Sequence, residues 1–230
     1  MKKIFFLVLT AVLCCAFLFS CENTEKLHLV KQTMTDGSMT VTTEFIYSRD
    51  FRIVRQKTTA NGVANTYSEL GYDENGYQNY QKDILPGGSV TETFITNDQK
   101  GRRTEVRSVE TYNGKERETV ISYEYTDKNC SYVETSSSGT VTTVTNDGHG
   151  NPLTHSNNKG LAVTFENKYD NDRLIETKNT FTVGTLTTVT ITKYEYDIHG
   201  NKIKETNYDS AGTVISTQTY EYASEVIFAD

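Results

Sequence analysis

The stretch Tyr194–Tyr222, YEYDIHGNKIKETNYDSAGTVISTQTYEY, decides the fold. It opens on Tyr-Glu-Tyr-Asp, bends at His199-Gly200-Asn201, and runs on as a polar segment. It bends again at Asp209-Ser210-Ala211-Gly212 and closes on Tyr-Glu-Tyr. An Asp at the start of a bend caps it with its carboxylate, and a Gly or Asn near the end accepts positive φ. The unit reads as strand, turn, strand, turn.

The same unit recurs through the chain. Its pre-turn residues are Tyr47, Tyr72, Asn97, Tyr125, Asn146, Tyr169, Tyr196 and Tyr222, about 25 residues apart. Second turns fall between them, at Asn61-Gly62, Pro86-Gly87-Gly88, Asn113-Gly114, Ser138-Gly139, Asn157–Gly160 and Val183-Gly184. Asn-Gly between alternating segments is a strong hairpin signal. The segments themselves have period two. Met39, Val41, Thr43, Phe45 and Tyr47 fall on one face, and Thr40, Thr42, Glu44 and Ile46 on the other. Leu161, Val163, Phe165, Asn167 and Tyr169 share a face, as do Arg117, Thr119, Ile121, Tyr123 and Tyr125. No helical stripe follows the N-terminal apolar run.

The expected fold is therefore all-β: one antiparallel meander of roughly 14–16 strands, with no composition break for a second domain. Twisted open sheets rarely exceed about 10 strands, and closure removes exposed edges. The sheet is expected to roll or close into a soluble barrel, with tyrosines facing inward and threonines facing water.

Lys2-Lys3 followed by the apolar run Ile4–Phe19 has the layout of a secretory signal, too short for a comfortable membrane helix. Leu18-Phe19-Ser20-Cys21 resembles a bacterial lipobox. That resemblance implies a signal peptide over 1–20, lipidation (palmitate among the acyl chains) at Cys21, a polar tether over 21–29, and a repetitive β-domain over 30–230. Several acyl chains on one residue give stable anchoring. Glu22 rather than Asp follows the Cys, which points to the outer membrane of the cell envelope. Once Cys14 and Cys15 leave and Cys21 is lipidated, only Cys130 remains, so no internal disulfide is available.

The chain has 23 basic and 30 acidic residues, and removing Lys2 and Lys3 leaves 21 against 30. A balance of −9 excludes a nucleic-acid partner as a general class. Trp is absent, Pro is 2, Tyr is 15, and about one residue in six is Thr, a composition that favours strands.

The turns YDENG at Tyr72–Gly76 and YDIHGNKI at Tyr196–Ile203 resemble the YD repeats of Rhs-type proteins. That resemblance implies a strip of sheet wound around a hollow interior. The whole layout, lipobox plus repeats, is similar to a domain-of-unknown-function family of lipoproteins with a porin-like fold. It implies architecture and location, and it brings no catalytic residue with it.

The most suggestive candidate ligand-binding residues are Tyr123, Tyr125, Tyr194, Tyr196, Tyr220 and Tyr222, which come as Tyr-Glu-Tyr pairs sharing a face. In neighbouring hairpins they would form an aromatic ladder able to stack on sugar rings. Cross-strand aromatic pairs also hold a sheet together, and with little Leu, Ile and Val the tyrosines serve as core. His149 and His155 with Asp147 could be read as a metal site, and Asp73, Asp98, Asp147, Asp170 and Asp197 as a calcium row. Turn capping accounts for these residues without an ion, so no metal or cofactor is expected. No Gly-x-Ser-x-Gly, His-Glu-x-x-His or Gly-rich phosphate loop is present. A lipid-facing barrel needs an apolar band, and neither face of Leu186–Tyr196 supplies one.

The sequence thus reads as a non-enzymatic envelope lipoprotein, a binding or structural module whose partner is the membrane through its anchor and a glycan or envelope protein through its sheet. The alternatives are a glycan-active hydrolase with carboxylates inside the sheet and a porin-like barrel inserted in the membrane.

Overall fold

The computed structural model describes residues 27–126 and 130–229. The signal peptide and Cys21 lie outside these residues, as does the middle of the turn after Tyr125. Sixteen strands follow one another: β1 His28–Asp36, β2 Met39–Tyr47, β3 Ile53–Ala60, β4 Val63–Tyr72, β5 Gln78–Ile84, β6 Val90–Asn97, β7 Arg103–Tyr112, β8 Lys115–Tyr125, β9 Tyr132–Ser136, β10 Val141–Asn146, β11 Pro152–Asn157, β12 Leu161–Asp170, β13 Arg173–Val183, β14 Leu186–Tyr196, β15 Lys202–Asp209 and β16 Val214–Ala223. Each pairs antiparallel with its neighbours in sequence, and β16 pairs with β1, so the meander closes into a barrel. The described residues contain no helix. β1 opens at His28, two residues ahead of the alternation read from Val30.

Period two sorts the side chains onto two walls. Along β12 the odd residues Leu161 to Tyr169 are half-buried and the even residues Ala162 to Asp170 are exposed. Register carries the more buried set around the ring: Phe45 pairs with Gln56, Gln56 with Ser68, Ser68 with Asp83, Asp83 with Thr91. Inward side chains converge and outward ones splay, so this set lines the lumen. The outer wall is charged. It carries Lys31–Glu221 at 2.8 Å, Arg107–Glu118 at 3.0 Å, Lys178–Glu166 at 2.6 Å and Lys204–Glu195 at 2.9 Å. Exposed pairs of this kind contribute about 0–1 kcal/mol each, so they report orientation more than stability.

Sixteen strands about 4.8 Å apart and tilted by about 40° enclose a cylinder roughly 30 Å across. No described side chain is less than 2 % exposed, so the barrel has no dry core. The expected arrangement of threonines is only half right. Thr142, Thr177 and Thr192 are buried on the lumen side, where short hydroxyls bond across strands: Thr192 to Asn207 at 2.7 Å, Thr43 to Thr58 at 3.1 Å.

A β-bulge recurs where six of the strands leave a first turn, β9 being regular. Its extra residue is Val54, Asn79, Thr104, Leu153, Ile175 or Ile203. Bulges bend a strand and sharpen its twist, which a sheet needs in order to close. The seam repeats the device without a turn: between β16 and β1 the extra residue is Val30.

The first turns are Asx turns. In the second unit, Asp73 Oδ1 accepts from Asn75 N–H and Tyr77 N–H at 2.9 Å each; Asp98, Asp147 and Asp197 repeat the pattern. Asp170 departs from it. It pairs with Arg173 across the two-residue turn Asn171-Asp172, both at positive φ, and caps nothing. The two-residue hairpin leaves no N–H two and four residues on for a capping carboxylate to reach.

Candidate functional site

Six of the eight pre-turn residues that align the repeat do one job: each reaches across to the start of the preceding strand, or just ahead of it, and donates to a backbone carbonyl. Tyr47 donates to Leu29 O at 2.7 Å, Tyr72 to Ile53 O at 2.7 Å, Tyr196 to Leu174 O at 2.8 Å and Tyr222 to Lys202 O at 3.1 Å. Where Tyr is replaced by Asn, the amide takes over: Asn97 Nδ2 donates to Gln78 O at 2.9 Å and Asn146 Nδ2 to Cys130 O at 3.0 Å. In the sixth unit the duty shifts to Asn167, which donates to Pro152 O at 2.9 Å, and Tyr169 donates to Asp147. Apart from Cys130, which lies ahead of β9, each carbonyl so gripped belongs to a residue at the start of a bulged strand. Tyr72 grips Ile53, Ile53 pairs with Tyr47, Tyr47 grips Leu29, and Leu29 pairs with Tyr222. The belt crosses the seam in the same way as it crosses any hairpin.

Burial raises the phenols of Tyr47, Tyr196 and Tyr222 and keeps them donors. Tyr47 is pushed up to about 12, mainly by burial. Tyr169 also rises to about 12, first through burial and then through its bond to the Asp147 carboxylate. Burial would raise Asp147, but the donors Tyr169, Asn151, Asn167 and His149 outweigh it and hold the carboxyl below its usual range.

Above the belt the lumen is lined by short polar side chains and two aromatic groups. The first is on β14–β16. Lys202 Nζ lies 5.5 Å from the Tyr194 ring centroid and 4.7 Å from that of Tyr220, and pairs with Glu205 at 2.6 Å. Tyr220 donates to Glu205 at 2.8 Å and accepts from Gln218 at 2.7 Å. The second group is Tyr123 and Tyr125 of β8 against Tyr132 of β9, with centroids 5.7 and 5.8 Å apart. Tyr132 is pushed up to about 12, first by burial and then by the nearby Glu134.

The expected ladder through Tyr123, Tyr125, Tyr194, Tyr196, Tyr220 and Tyr222 does not form as a stack of rings. β15 separates β14 from β16, and β8 lies six strands from β14. Tyr196 and Tyr222 serve the belt. Tyr194 and Tyr220 are brought together through Lys202, and Tyr123 and Tyr125 meet Tyr132. Sequence reasoning missed Lys202, Glu205, Gln218 and Tyr132. The bulge concealed them: counting out from the turn at Asp197–Asn201 puts Lys204 opposite Tyr194, whereas the extra residue Ile203 moves Glu205 there. Two aromatic faces with a cation, a carboxylate and an amide between them suit a ligand that has both hydroxyls and apolar faces.

His155 lies on β11, on the lumen wall opposite Val144 and Val163. His149 sits at the rim, stacked on Tyr169 with centroids 4.1 Å apart. The carboxylates of Asp73, Asp98, Asp147 and Asp197 are occupied by backbone N–H groups, and that of Asp170 accepts from the Asn171 side chain. Among the described residues no cluster of three or more His, Cys, Asp or Glu is arranged to hold a metal ion.

No family model matches the chain, and no curated protein matches it. Solved structures do. A porin-like protein from Bacteroides vulgatus matches at 11 % identity over 86 % of this chain and 99 % of its own, with a TM-score of 0.44. A porin-like protein from Bacteroides uniformis matches at 13 % over 85 % and 98 %, with a TM-score of 0.39. The Tc holotoxin pore of Photorhabdus luminescens matches at 17 % over 80 % of this chain and 9 % of its own, with a TM-score of 0.32. The fold assignment rests on the closed register from β1 to β16 and not on these likenesses.

Proposed function

We propose that this chain is a cell-envelope lipoprotein held at the outer membrane through Cys21, and that its barrel stands in water as a non-enzymatic binding or structural module. One observation carries the reading: cross-strand ion pairs are spread over the outer wall, while the lumen is lined by aromatic, amide and hydroxyl groups with a few charges, Asp83, Glu134, Lys202 and Glu205, among them. A charge facing lipid near the bilayer midplane costs about 2–4 kcal/mol for Lys or Arg. The outer wall carries Lys31, Lys57, Lys82, Arg107, Lys178 and Lys204, which argues against insertion. The ligand class favoured by the lumen is an oligosaccharide, received between Tyr194 and Tyr220 beside Glu205 and Gln218.

The test uses the mature chain with Cys21→Ala. It is expected to purify without detergent and to retain envelope oligosaccharides on a glycan array. Detergent-dependent recovery would favour the inserted porin-like alternative. A blank array together with no envelope protein captured by the lipidated chain would overturn the binding reading.

A further inference from the structure

We propose that the rim around the barrel seam is a membrane footing: an apolar cluster that beds into the bilayer surface when the Cys21 lipid is inserted. The proposal rests on the anchoring reading above and adds which face of the barrel meets the membrane.

The key residue is Phe51. In the repeat it occupies the position filled by Gly76, Gly101, Gly150 and Gly200, each of which donates its N–H to the first residue of the turn. Those glycines have φ between 76° and 86°. Phe51 has φ 61°, where a bulky side chain is strained by about 1–2 kcal/mol. The neighbouring units use the bare glycine as a platform. Arg52 lies against Gly76, Tyr77 against Gly101, and Arg173 against Gly200. At the seam His28 takes the equivalent place and stacks on the Phe51 ring, with centroids 4.7 Å apart and planes 9° apart.

The C-terminal segment adds to the same spot. Ile227 O accepts from Tyr47 N–H and Ala229 N–H donates to Tyr47 O, both at 2.8 Å, which brings the Phe228 ring 5.6 Å from Phe51. These contacts do not cover the cluster. Phe51 is 49 % exposed, Phe228 45 % and Ile227 66 %. In the next turn round the rim, Ile198 is 93 % exposed.

Chain length points to the occupant. Cys21 precedes Leu27 by six residues, a reach of about 20 Å at most. The strands rise about 3.4 Å per residue and tilt by about 40°, so the barrel is roughly 25 Å tall. The chain enters β1 at the seam rim, and a lipid on Cys21 therefore keeps the bilayer at this rim and out of reach of the opposite one. The outer wall is charged, so lying on its side would bring ion pairs against the membrane. Standing on the seam rim brings Phe51, Ile198, Ile227 and Phe228.

The experiment uses the lipidated mature chain in vesicles of phosphatidylethanolamine and phosphatidylglycerol. Cys130 is exposed and free and is first replaced by Ser. An environment-sensitive fluorophore is then placed at I198C or I227C, and at V63C or L186C on the opposite rim as controls. The seam-rim labels are expected to shift to the blue and to be quenched by lipids with a nitroxide high on the acyl chain, while the opposite rim stays in water. Phe51→Ser with Ile227→Ser should lower that quenching, and in the lipid-free chain should weaken vesicle partitioning on the order of tenfold. Equal, unshifted emission from both rims, with the Cys21 lipid shown by mass, overturns the footing. So does protection of the seam rim by a co-purifying protein in place of lipid. A bare Cys21 would overturn the anchoring reading instead. The same labels on a chain held to nickel-chelating vesicles by an N-terminal histidine tag would then decide the footing separately.

Discussion

The Tyr47 hydroxyl donates to the Leu29 carbonyl at 2.7 Å and ties β2 to the first strand of the barrel beside the seam. Tyr72 makes the same bond to Ile53. Tyr47→Phe deletes one donor and leaves a half-buried carbonyl without it, which costs about 1–3 kcal/mol. Urea unfolding should show this loss for Tyr47→Phe and Tyr72→Phe alike. Equal stability of Tyr47→Phe and the parent would mean that the belt does not hold the seam.

Gly101 should tolerate no side chain. An added Cβ would stand 2.3 Å from the Tyr77 ring at φ 76°, whereas one at Gly114, at φ 71°, would meet nothing within 4 Å. Gly114→Ala should lose only the left-handed penalty, about 1 kcal/mol, and Gly101→Ala clearly more. Adding Tyr77→Ala to Gly101→Ala should bring back part of the difference in thermal melts.

Alkali should open the barrel in a defined window. Tyr47, Tyr132 and Tyr169 rise to about 12 from the ordinary 10. A raised phenol stabilises the fold fully below pH 10, and that stability disappears as pH climbs from 10 through 12. Ultraviolet difference titration should separate these phenols from the exposed ones, and Tyr47→Phe should flatten the loss of stability over that window. Asp147, held below its usual range, works in the opposite direction: its contribution is present above the ordinary carboxyl pKa and is lost as pH falls below it.

Binding and stability should separate within the tyrosine set. Tyr194→Ala and Tyr220→Ala remove the rings on either side of Lys202 and should abolish oligosaccharide retention measured by calorimetry. Tyr196→Phe removes only the hydroxyl that grips Leu174 O. It should lower unfolding stability by about 1 kcal/mol and leave retention unchanged. Equal effects on binding from all three would reject the Lys202 site.

Much of the wall was legible in the sequence because its determinants are local. Phe45 and Tyr47 share a face because they are two apart, and Asp197 caps its turn because His199 and Asn201 are two and four residues on. The exchange of Asn97 and Asn146 for Tyr was visible only as a lapse in the motif. Structure shows that an amide and a phenol can both donate to the same carbonyl, and a pattern of letters does not carry that equivalence. Lys202 between Tyr194 and Tyr220 was missed for a related reason. The three lie on three strands, and the contact depends on register across two hairpins at once.

By itself, the sequence determined an all-β meander, its repeat, its turns and the alternation of its two walls. Each of these is settled within one hairpin, by side-chain period and backbone conformation over a few residues. Only the tertiary structure decided that the sheet closes, that sixteen strands meet at β1 and β16, and that the interior has no dry core. Closure depends on the summed bend and twist of every bulge around the ring. It brings Lys31 to Glu221 across 190 residues, a distance over which no local pattern acts. The Tyr47–Leu29 bond, Phe51 at the seam and the lumen site all follow from that closure.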